Sequence, residues 1–390
     1  MPMSLRRLAL LMVSLPAVAL AQNAAPTPSQ ALASALPGIC AGRPSASLQS
    51  RCAEILASSS ADAFRIAAQG QGFDQIPGQA RLANRDGAAT PSPRTSESSD
   101  EPTKWQVFAT AETGELARGT SAIEAGFEAR VHSGLLGVSW QPRPEWNAFA
   151  AWSRKSEALD YSASASRADA QSDGVLLQLD HALSARWSWS AYVGVLDGEL
   201  DLQRRVEYRL PSAMGTRSVS ADARGRPDTR QRIDGAALRF THDIGAWSNS
   251  LETRLDRSRT TIDAFAEAGG DGLAIALPRR DLRTRRAGLS ATVSRAFSIQ
   301  HGVLLPQARV GLTREFDDPA RTLTVRLVGD GNSTPIRFAT QEPDAWWGDA
   351  ALGVVWIMPG GASAFLEGRQ RFAHTFLDER MVALGFRLER

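Results

Sequence analysis

Most of the chain, from about residue 105 to the C-terminus, consists of short segments in which apolar and polar residues alternate. In the last of them the even-numbered residues Val382, Leu384, Phe386 and Leu388 are apolar. The odd-numbered residues between and after them include Gly385, Arg387 and Glu389. Successive side chains of a strand point to opposite faces, so each segment would have one apolar and one polar wall. Lipid cannot satisfy unpaired backbone groups, so such a sheet must close on itself in a bilayer. The pattern predicts an all-β fold, a closed antiparallel transmembrane β-barrel.

The connections between these segments are alternately short and long. About twelve strands are predicted, starting near residues 104, 122, 146, 172, 187, 229, 247, 283, 302, 345, 361 and 380. Tight joints at residues 141–144 and 359–360, and near 184, 245 and 300, alternate with polar stretches at 163–171, 210–230, 264–280 and 317–344. Short periplasmic turns and longer outer loops are typical of outer-membrane barrels. An even number of strands returns the C-terminus to the periplasmic side.

The two walls are assigned different surroundings. The apolar residues of the last strand, Val382, Leu384, Phe386 and Leu388, are predicted to face lipid. The predicted lumen-facing charges are Arg239, Glu252, Arg254, Arg309, Asp349, Glu367 and Arg369. Mixed charge in a confined lumen favours a paired structural network, because unpaired buried charges are costly. A substrate-selective pore is the alternative interpretation of the same charges.

The N-terminus has the three regions of a secretory signal peptide. Arg6 and Arg7 precede an apolar run over residues 8–20, and Ala19-Leu20-Ala21 forms a small-x-small cleavage site. The run is shorter than the roughly 20 residues of a transmembrane helix. Residues 1–21 are therefore predicted to be cleaved after export. Together with the strand pattern, this predicts the outer membrane of a Gram-negative bacterium.

Between the signal peptide and the barrel, two regions are predicted. Residues 22–80 form a short helical segment, since Leu48, Cys52 and Ile55 have helical spacing. Cys40 and Cys52 are the chain's two cysteines, and passage through an oxidising compartment favours a disulfide between them. Residues 81–103 are rich in Pro, Ser and acidic residues, which is typical of a flexible linker. The barrel then occupies residues 104–390.

Composition adds one positive signal and several exclusions. Of ten tryptophans, eight lie at predicted strand ends, where they would form aromatic girdles at the membrane interfaces: Trp105, Trp140, Trp146, Trp187, Trp189, Trp247, Trp346 and Trp347. A net charge of +2 without a basic face argues against a nucleic-acid partner. The five histidines are scattered and no nucleophile motif is present. No metal, cofactor or catalytic residue is predicted, so the protein is not expected to be an enzyme.

At this point the C-terminal third resembles a known family. Its features are a strand ending in Glu315-Phe316, a strand at residues 350–354, a glycine-containing turn, Glu367-Gly368-Arg369 and the closing segment 381–390. In their order and spacing they are similar to the end of the autotransporter β-domain. The resemblance implies type V secretion, in which a twelve-stranded, monomeric barrel helps an upstream segment cross the outer membrane. The implied partners are outer-membrane lipid, periplasmic chaperones and the barrel-assembly machinery.

The sequence departs from the family's pattern at two places. Arg390 occupies the final position, where such barrels usually end in an aromatic residue. Only about sixty residues lie between the signal peptide and the linker, which is too few for a long β-helical passenger. One hypothesis is that the barrel anchors and translocates or displays this short segment, with residues 84–103 threading the lumen. The alternative is a small pore or loop-based surface-binding protein with a periplasmic N-terminal segment.

Overall fold

The structure of the protein, a computed structural model, describes residues 26–69, 105–121, 123–162, 165–316, 322–341 and 344–389. The predicted signal peptide, the predicted linker and Arg390 lie outside these ranges. The helices of the described chain are α1 (Pro28–Ala41), α2 (Ala46–Leu56) and α3 (Ala63–Gln69), all within the predicted helical segment. None of the described helices is long and apolar enough to cross a membrane.

The strands follow from Trp105 onward. They are β1 (Trp105–Arg118), β2 (Phe127–Arg143), β3 (Trp146–Tyr161), β4 (Arg167–Ala182), β5 (Trp187–Ser212), β6 (Gly215–Gly225), β7 (Asp228–Ile244), β8 (Trp247–Ile262), β9 (Phe265–Ala266), β10 (Ala268–Gly269), β11 (Ile275–Leu277), β12 (Arg280–Arg295), β13 (Phe297–Ile299), β14 (Gly302–Glu315), β15 (Thr322–Leu327), β16 (Ile336–Ala339), β17 (Trp346–Ile357), β18 (Ala362–Phe372) and β19 (Leu377–Glu389). A 3-10 turn at Gly270–Gly272 lies between β10 and β11.

Twelve of these strands close into one antiparallel barrel: β1–β5, β7, β8, β12, β14 and β17–β19. Closure comes from pairing of the first strand with the last, where Gln106 lies opposite Glu389. The lower part of β5 pairs with both β4 and β7. The predicted fold class is confirmed. The period-two pattern also located strands well, and the predicted starts at 146, 187, 247 and 302 are the observed ones.

The barrel has two structurally different ends. Its short turns, which include residues 144–145, 245–246 and 358–361, all lie at one end, here called the short-turn end. The connections at the other end, the long-loop end, include residues 119–126 and 263–279. The predicted alternation of short and long connections is observed except at residues 163–171. There β3 ends at Tyr161 and β4 already begins at Arg167, so the connection is short.

The long stretches predicted only as polar loops contain additional strands. The upper part of β5 leaves the barrel beyond Gln203 and forms a projecting hairpin with β6. β9, β11, β15 and β16 form a separate four-stranded sheet. The expectation of plain loops at residues 210–230, 264–280 and 317–344 was incomplete. The apolar residues in these stretches are buried against the N-terminal helices, a long-range packing that local polarity does not reveal.

The outer wall of the barrel is apolar, and Val382, Leu384, Phe386 and Leu388 are all exposed on it. Among the predicted girdle residues, Trp146 stacks on His181 at 4.0 Å between ring centroids near the short-turn end. Trp347 differs, because it is buried on the inner wall between Arg286 and Arg371. Its neighbour Trp346 takes the exposed position, since adjacent residues of a strand face opposite sides.

Candidate functional site

The N-terminal helices form a small folded unit, here called the cap (residues 26–69). The Cys40–Cys52 disulfide predicted from the sequence is present and joins the end of α1 to the middle of α2, with a Cα–Cα distance of 5.4 Å. Thr27 caps the start of α1, accepting a hydrogen bond from the backbone N–H of Gln30. A segment this small needs such a covalent link, since it cannot bury a sufficient core by itself.

The cap lies on the long-loop end of the protein. Its support, here called the platform, is made of the projecting β5–β6 hairpin (residues 204–225) and of residues 265–277 and 322–339. The cap contributes Leu32, Leu36, Ile39, Leu48 and Ile55, and the platform contributes Val206, Leu210, Ile275, Val325, Leu327 and Phe338, to one buried apolar cluster. Fully burying a side chain of this size stabilises by roughly 1.5–3 kcal/mol before ordering costs. The cap is therefore an integral part of the fold.

Backbone hydrogen bonds hold the α1–α2 connection against the platform. The N–H of Ser45 donates to the carbonyl of Gly329 at 2.7 Å, and the N–H of Gly331 donates to the carbonyl of Arg43 at 2.9 Å. Between them, Pro44 forms an antiparallel bridge with Asp330. These bonds are independent of side-chain identity, so they position the disulfide-containing turn regardless of local sequence.

Side chains at the other end of α2 add a charged contact. The guanidinium of Arg217 on β6 donates to Glu54 at 2.7 Å, and Arg51 donates to the same carboxylate at 2.8 Å. The hydroxyl of Ser58 donates to the carbonyl of Pro211 at 2.8 Å. The cap is thus fixed to the tip of the hairpin as well as to the sheet of β9, β11, β15 and β16.

The platform itself is braced by a buried ion pair. Arg204 of β5 and Glu267 are 2% and 3% exposed and are joined at 2.5 Å. Arg204 also donates to the carbonyl of Leu273 at 2.8 Å, and Glu267 accepts from the N–H of Ile275 at 2.9 Å. Removing one partner of such a pair costs about 3–5 kcal/mol, because the other charge is left buried. The pair locks residues 265–277 onto the projecting hairpin.

Two platform residues next to the cap have shifted pKa values. Burial raises the pKa of Tyr208 to about 12. Burial opposes the charge of Asp330, but hydrogen bonds from Thr334 and from the backbone N–H of Asn332 outweigh it and hold the pKa of Asp330 below its usual range. Tyr208 lies beyond the last residue pair of β4 and β5, and Asp330 lies between β15 and β16, so both are outside the membrane-spanning strands.

The barrel begins at the end opposite to the cap. Trp105 is paired with Trp140, three residues before the end of β2 at a short turn. The cap, in contrast, packs on Val206 and Leu210, which lie beyond the long-loop ends of the neighbouring strands. The described residues on the two sides of residues 70–104 therefore lie at opposite ends of the barrel.

The predicted lumen charges are on the inner wall, and most are paired across strands. Arg239 bonds Glu252 at 2.6 Å, and Arg309 bonds Glu367 at 2.9 Å. Arg254 bonds Asp256 at 2.8 Å beneath Tyr192. Asp349 lies against Gly311, where an added Cβ would be 2.8 Å from its carboxylate. The residues Gln178, Asp180, Tyr192, Arg239, Glu252 and Arg254 line a small polar cavity in this wall.

The partners of Arg369 were missed by sequence reasoning. Its guanidinium bonds Glu112 of β1 at 3.0 Å and reaches Glu379 of β19 at 3.5 Å. The alternation in β1 is weak, because Ala and Thr fill most of its outward positions. The pairing also depends on barrel closure, which brings Arg369 and Glu112, 257 positions apart in the chain, close together on the inner wall. No local signal in the sequence identifies it.

The inner wall is not polar over its whole height. At the long-loop end, inward-facing residues from seven strands form a buried apolar cluster, which includes Leu116, Phe127, Leu159, Ala168, Leu200, Ile262 and Leu282. Next to it, Arg118 and Glu124 form a buried ion pair. A second buried apolar cluster, which includes Leu135, Leu176 and Ile233, lies further toward the short turns on the same wall, with Phe108 and Phe149 packed against it. The expectation of a polar lumen was therefore incomplete, because apolar clusters interrupt the charged residues.

The described part of the chain contains no group of three or more His, Cys, Asp or Glu side chains arranged to hold a metal ion. The arrangement consists of a lipid-facing wall, a charged lumen and a cap on the long loops.

A closed antiparallel barrel with an apolar outer wall and a largely polar inner wall defines a transmembrane β-barrel of the outer-membrane class. The chain belongs to the autotransporter β-domain family, whose model matches residues 107–369. This family fold is a transport fold without catalysis of its own, and it implies the outer membrane of a Gram-negative bacterium. The family resemblance noted in the sequence is confirmed.

Two solved structures share the fold. The translocator domain of the autotransporter NalP from Neisseria meningitidis is similar with a TM-score of 0.60 and 12% identity, covering 81% of this chain and 96% of that domain. The β-domain of the Bordetella autotransporter BrkA is similar with a TM-score of 0.50 and 13% identity, covering 74% of this chain and all of that domain. No curated protein matches the chain at a significant level.

Proposed function

We propose that this barrel translocates its own N-terminal segment across the outer membrane and then retains it at the cell surface as the cap. The observation that carries this proposal is the position of the cap on the long-loop end, opposite the start of β1. If the long loops face outward, as in other outer-membrane barrels, the cap is outside while the barrel begins on the periplasmic side.

The chain between cap and barrel is long enough for this topology. Residues 70–104 separate Gln69 from Trp105 and would span about 115 Å when fully extended. The 14 residues of β1 span about 45 Å, so length does not limit the crossing. A route through lipid would leave backbone groups unpaired at several kcal/mol each, which favours the lumen as the route.

The same observation disfavours a pore with a periplasmic N-terminal segment. In that alternative the helices would lie at the short-turn end or would make no contact with the barrel. Instead they share a buried cluster with three separate stretches of the long-loop end. The cap is too small to be a long β-helical passenger, so display of a compact disulfide-linked unit is the form of export that fits its size. Removal of residues 1–21 as a signal peptide is part of this proposal.

A labelling experiment with two internal references tests the topology. A biotin-acceptor peptide is inserted after residue 25, and the same peptide is inserted in two separate variants as references. One reference is after Met214, which is fully exposed at the hairpin tip, and the other is in the turn after Gly360. On intact cells, the tags at 25 and 214 should be labelled by an impermeant reagent, and the tag at 360 only after permeabilisation.

The outcomes are distinct. If the tag at residue 25 is labelled only after permeabilisation, as at 360, the cap is periplasmic and the proposal is wrong. If the two reference tags exchange their behaviour, the orientation of the barrel is reversed, and the proposal is also wrong.

A further inference from the structure

The outer wall carries a concentrated group of arginines on three neighbouring strands. Three consecutive outward positions on each of β7, β8 and β12 lie in register and form a grid of nine positions. Its rows are Arg230–Thr261–Asp281, Arg232–Arg259–Arg283 and Asp234–Arg257–Arg285. Apart from Thr261 and the two aspartates, every position is arginine. We call these nine residues the arginine grid.

The middle row places three like charges side by side. Arg232 pairs with Arg259, and Arg259 pairs with Arg283, so neighbouring Cβ atoms are about 5 Å apart. Like charges directly opposite each other on a sheet are destabilising. A bound anion relieves such repulsion, so this row is favourable only when a counter-charge is near it.

The protein's own acidic residues neutralise the grid only in part. Asp281 bonds Arg259 at 3.1 Å, and Asp197 of β5 bonds Arg230 at 2.5 Å. Asp234 approaches Arg257 at 3.8 Å. Among the described residues, Arg232 has no acidic partner. Arg283 and Arg285 make further contacts within the chain. The excess of positive charge therefore rests on the number of arginines, six against the three aspartates named above, and on Arg232. All six arginines are exposed rather than folded into the wall.

The grid lies directly beside the lipid-facing wall. The next outward-facing row toward the short turns consists of Ala236, Leu255 and Ala287 on the same three strands. In the row after that, Leu238 and Leu289 are exposed. The change from apolar to charged is the boundary between hydrocarbon and head groups. In the orientation of the proposed function, on which this step rests, the boundary belongs to the outer leaflet.

We propose that the arginine grid binds the phosphate groups of a phosphorylated glycolipid of the outer leaflet. Arginine presents a planar fork of donors that matches phosphate bidentately. The apolar residues beneath the grid offer a surface for the acyl chains of the same molecule. Apolar contact and phosphate contact together select a lipid over a free anion.

The rim has a different composition on β3, β4 and β5. The corresponding row on β3, β4 and β5 is Arg154–Asp173–Asp197, in which acidic residues predominate. Other exposed arginines near the boundary, such as Arg130 and Arg380, are separated on their own strands. The grid is therefore a local feature, and these separated arginines provide a matched control.

Binding can be measured with the purified full chain in neutral detergent. The probe is bis-phosphorylated lipid A, compared with the same lipid lacking phosphates, and binding is followed by native mass spectrometry. The variant Arg232→Gln/Arg259→Gln/Arg283→Gln should weaken binding of the phosphorylated lipid at least tenfold. The control Arg130→Gln/Arg154→Gln/Arg380→Gln should change it less than twofold. The single variant Arg232→Gln should weaken binding measurably, and provides a test if the triple variant folds poorly.

Each result decides the proposal. Equal binding by the grid and control variants, or equal binding of the lipid with and without phosphates, would overturn it. Full competition by millimolar inorganic phosphate would also overturn it, because the grid would then be a free-anion site. The measurement uses purified protein, so it does not depend on whether the cap is translocated. If the labelling experiment contradicts the proposed function, the lipid-binding result can still be interpreted by itself.

Discussion

A Cβ atom placed on Gly272 would lie 2.5 Å from the backbone nitrogen of Leu48. Gly272 belongs to the platform and Leu48 to α2 of the cap, and they are 224 positions apart in the chain. Gly272 also has a φ of +89°, a conformation that residues with a side chain rarely adopt. The close approach of the two backbones thus depends on the absence of a side chain at this position.

The first prediction concerns this contact. Gly272→Ala should displace α2 from the platform and lower the protection of its amides against hydrogen exchange by at least tenfold. Gly360→Ala is the matched control, because Gly360 has a φ of +88° and an added Cβ would meet nothing within 4 Å. Backbone strain is similar in the two variants, so only the steric contact differs. Equal protection of α2 in both variants would show that the cap is not seated on Gly272.

The second prediction is a pH dependence of cap docking. Tyr208 is buried against the cap, and its pKa is raised to about 12 in the folded protein from an ordinary value near 10. The neutral phenol is favoured in the docked state, so the stabilisation is fully present below pH 10 and is lost as the pH rises from 10 to 12. The shift corresponds to about 2–3 kcal/mol. The anisotropy of a dye on a tag before residue 26 should fall over this range.

Tyr208→Phe is the control for that titration. Its hydroxyl has no hydrogen-bond partner among the described residues, so removing it should cost little and can stabilise docking at neutral pH. The anisotropy of the variant should stay constant to higher pH than that of the wild type. Release of the cap at the same pH in both proteins would contradict a role for this side chain.

The third prediction concerns the Cys40–Cys52 disulfide. Loss of a bridge that closes a loop of this length costs about 2–3 kcal/mol in the chain-entropy model. Cys40→Ser/Cys52→Ser should therefore raise amide exchange in α1 and in residues 42–45, while β1–β4 remain unchanged. Reductant should reproduce the effect in the wild type and add nothing in the variant. If reductant also raises amide exchange in the cysteine-free variant, the change in exchange is not caused by loss of the disulfide.

The fourth prediction concerns the linker. If residues 84–103 occupy the lumen, deleting them should raise the single-channel conductance in a planar bilayer. The charged pairs, such as Arg239–Glu252, would then line an open passage. A deletion of residues 70–83 is the comparison, and it should leave the conductance closer to that of the wild type. Unchanged conductance after deletion of 84–103 would show that this segment lies outside the lumen.

Local patterns in the sequence predicted the wall of the barrel. Strand starts at 146, 187, 247 and 302 follow from the change between turn residues and period-two alternation, which needs no knowledge of partners. The outward parity of Val382, Leu384, Phe386 and Leu388 follows for the same reason. Where alternation was weak, prediction was poorer, and β2 begins at Phe127 instead of near residue 122.

Trp347 and the platform show the limits of that reasoning. Trp347 lies at a strand end, as expected of a girdle residue. Its position in the alternation of the strand, however, directs its side chain into the lumen beside Arg286. The sequence around Ile275 predicts a loop, because its few apolar residues have no partner nearby in the chain. They are buried only because α1 and α2 arrive from more than 200 positions away.

The sequence by itself determined the closed barrel, its two walls and its short and long connections, because these depend on side-chain period and on the absence of water in lipid. Only the tertiary structure decided which charges pair across the lumen, how the arginines of three strands come into register, and on which end the cap docks. Each of these depends on the relative placement of strands far apart in the chain. Register and docking are set by packing between such segments, and no single segment encodes them.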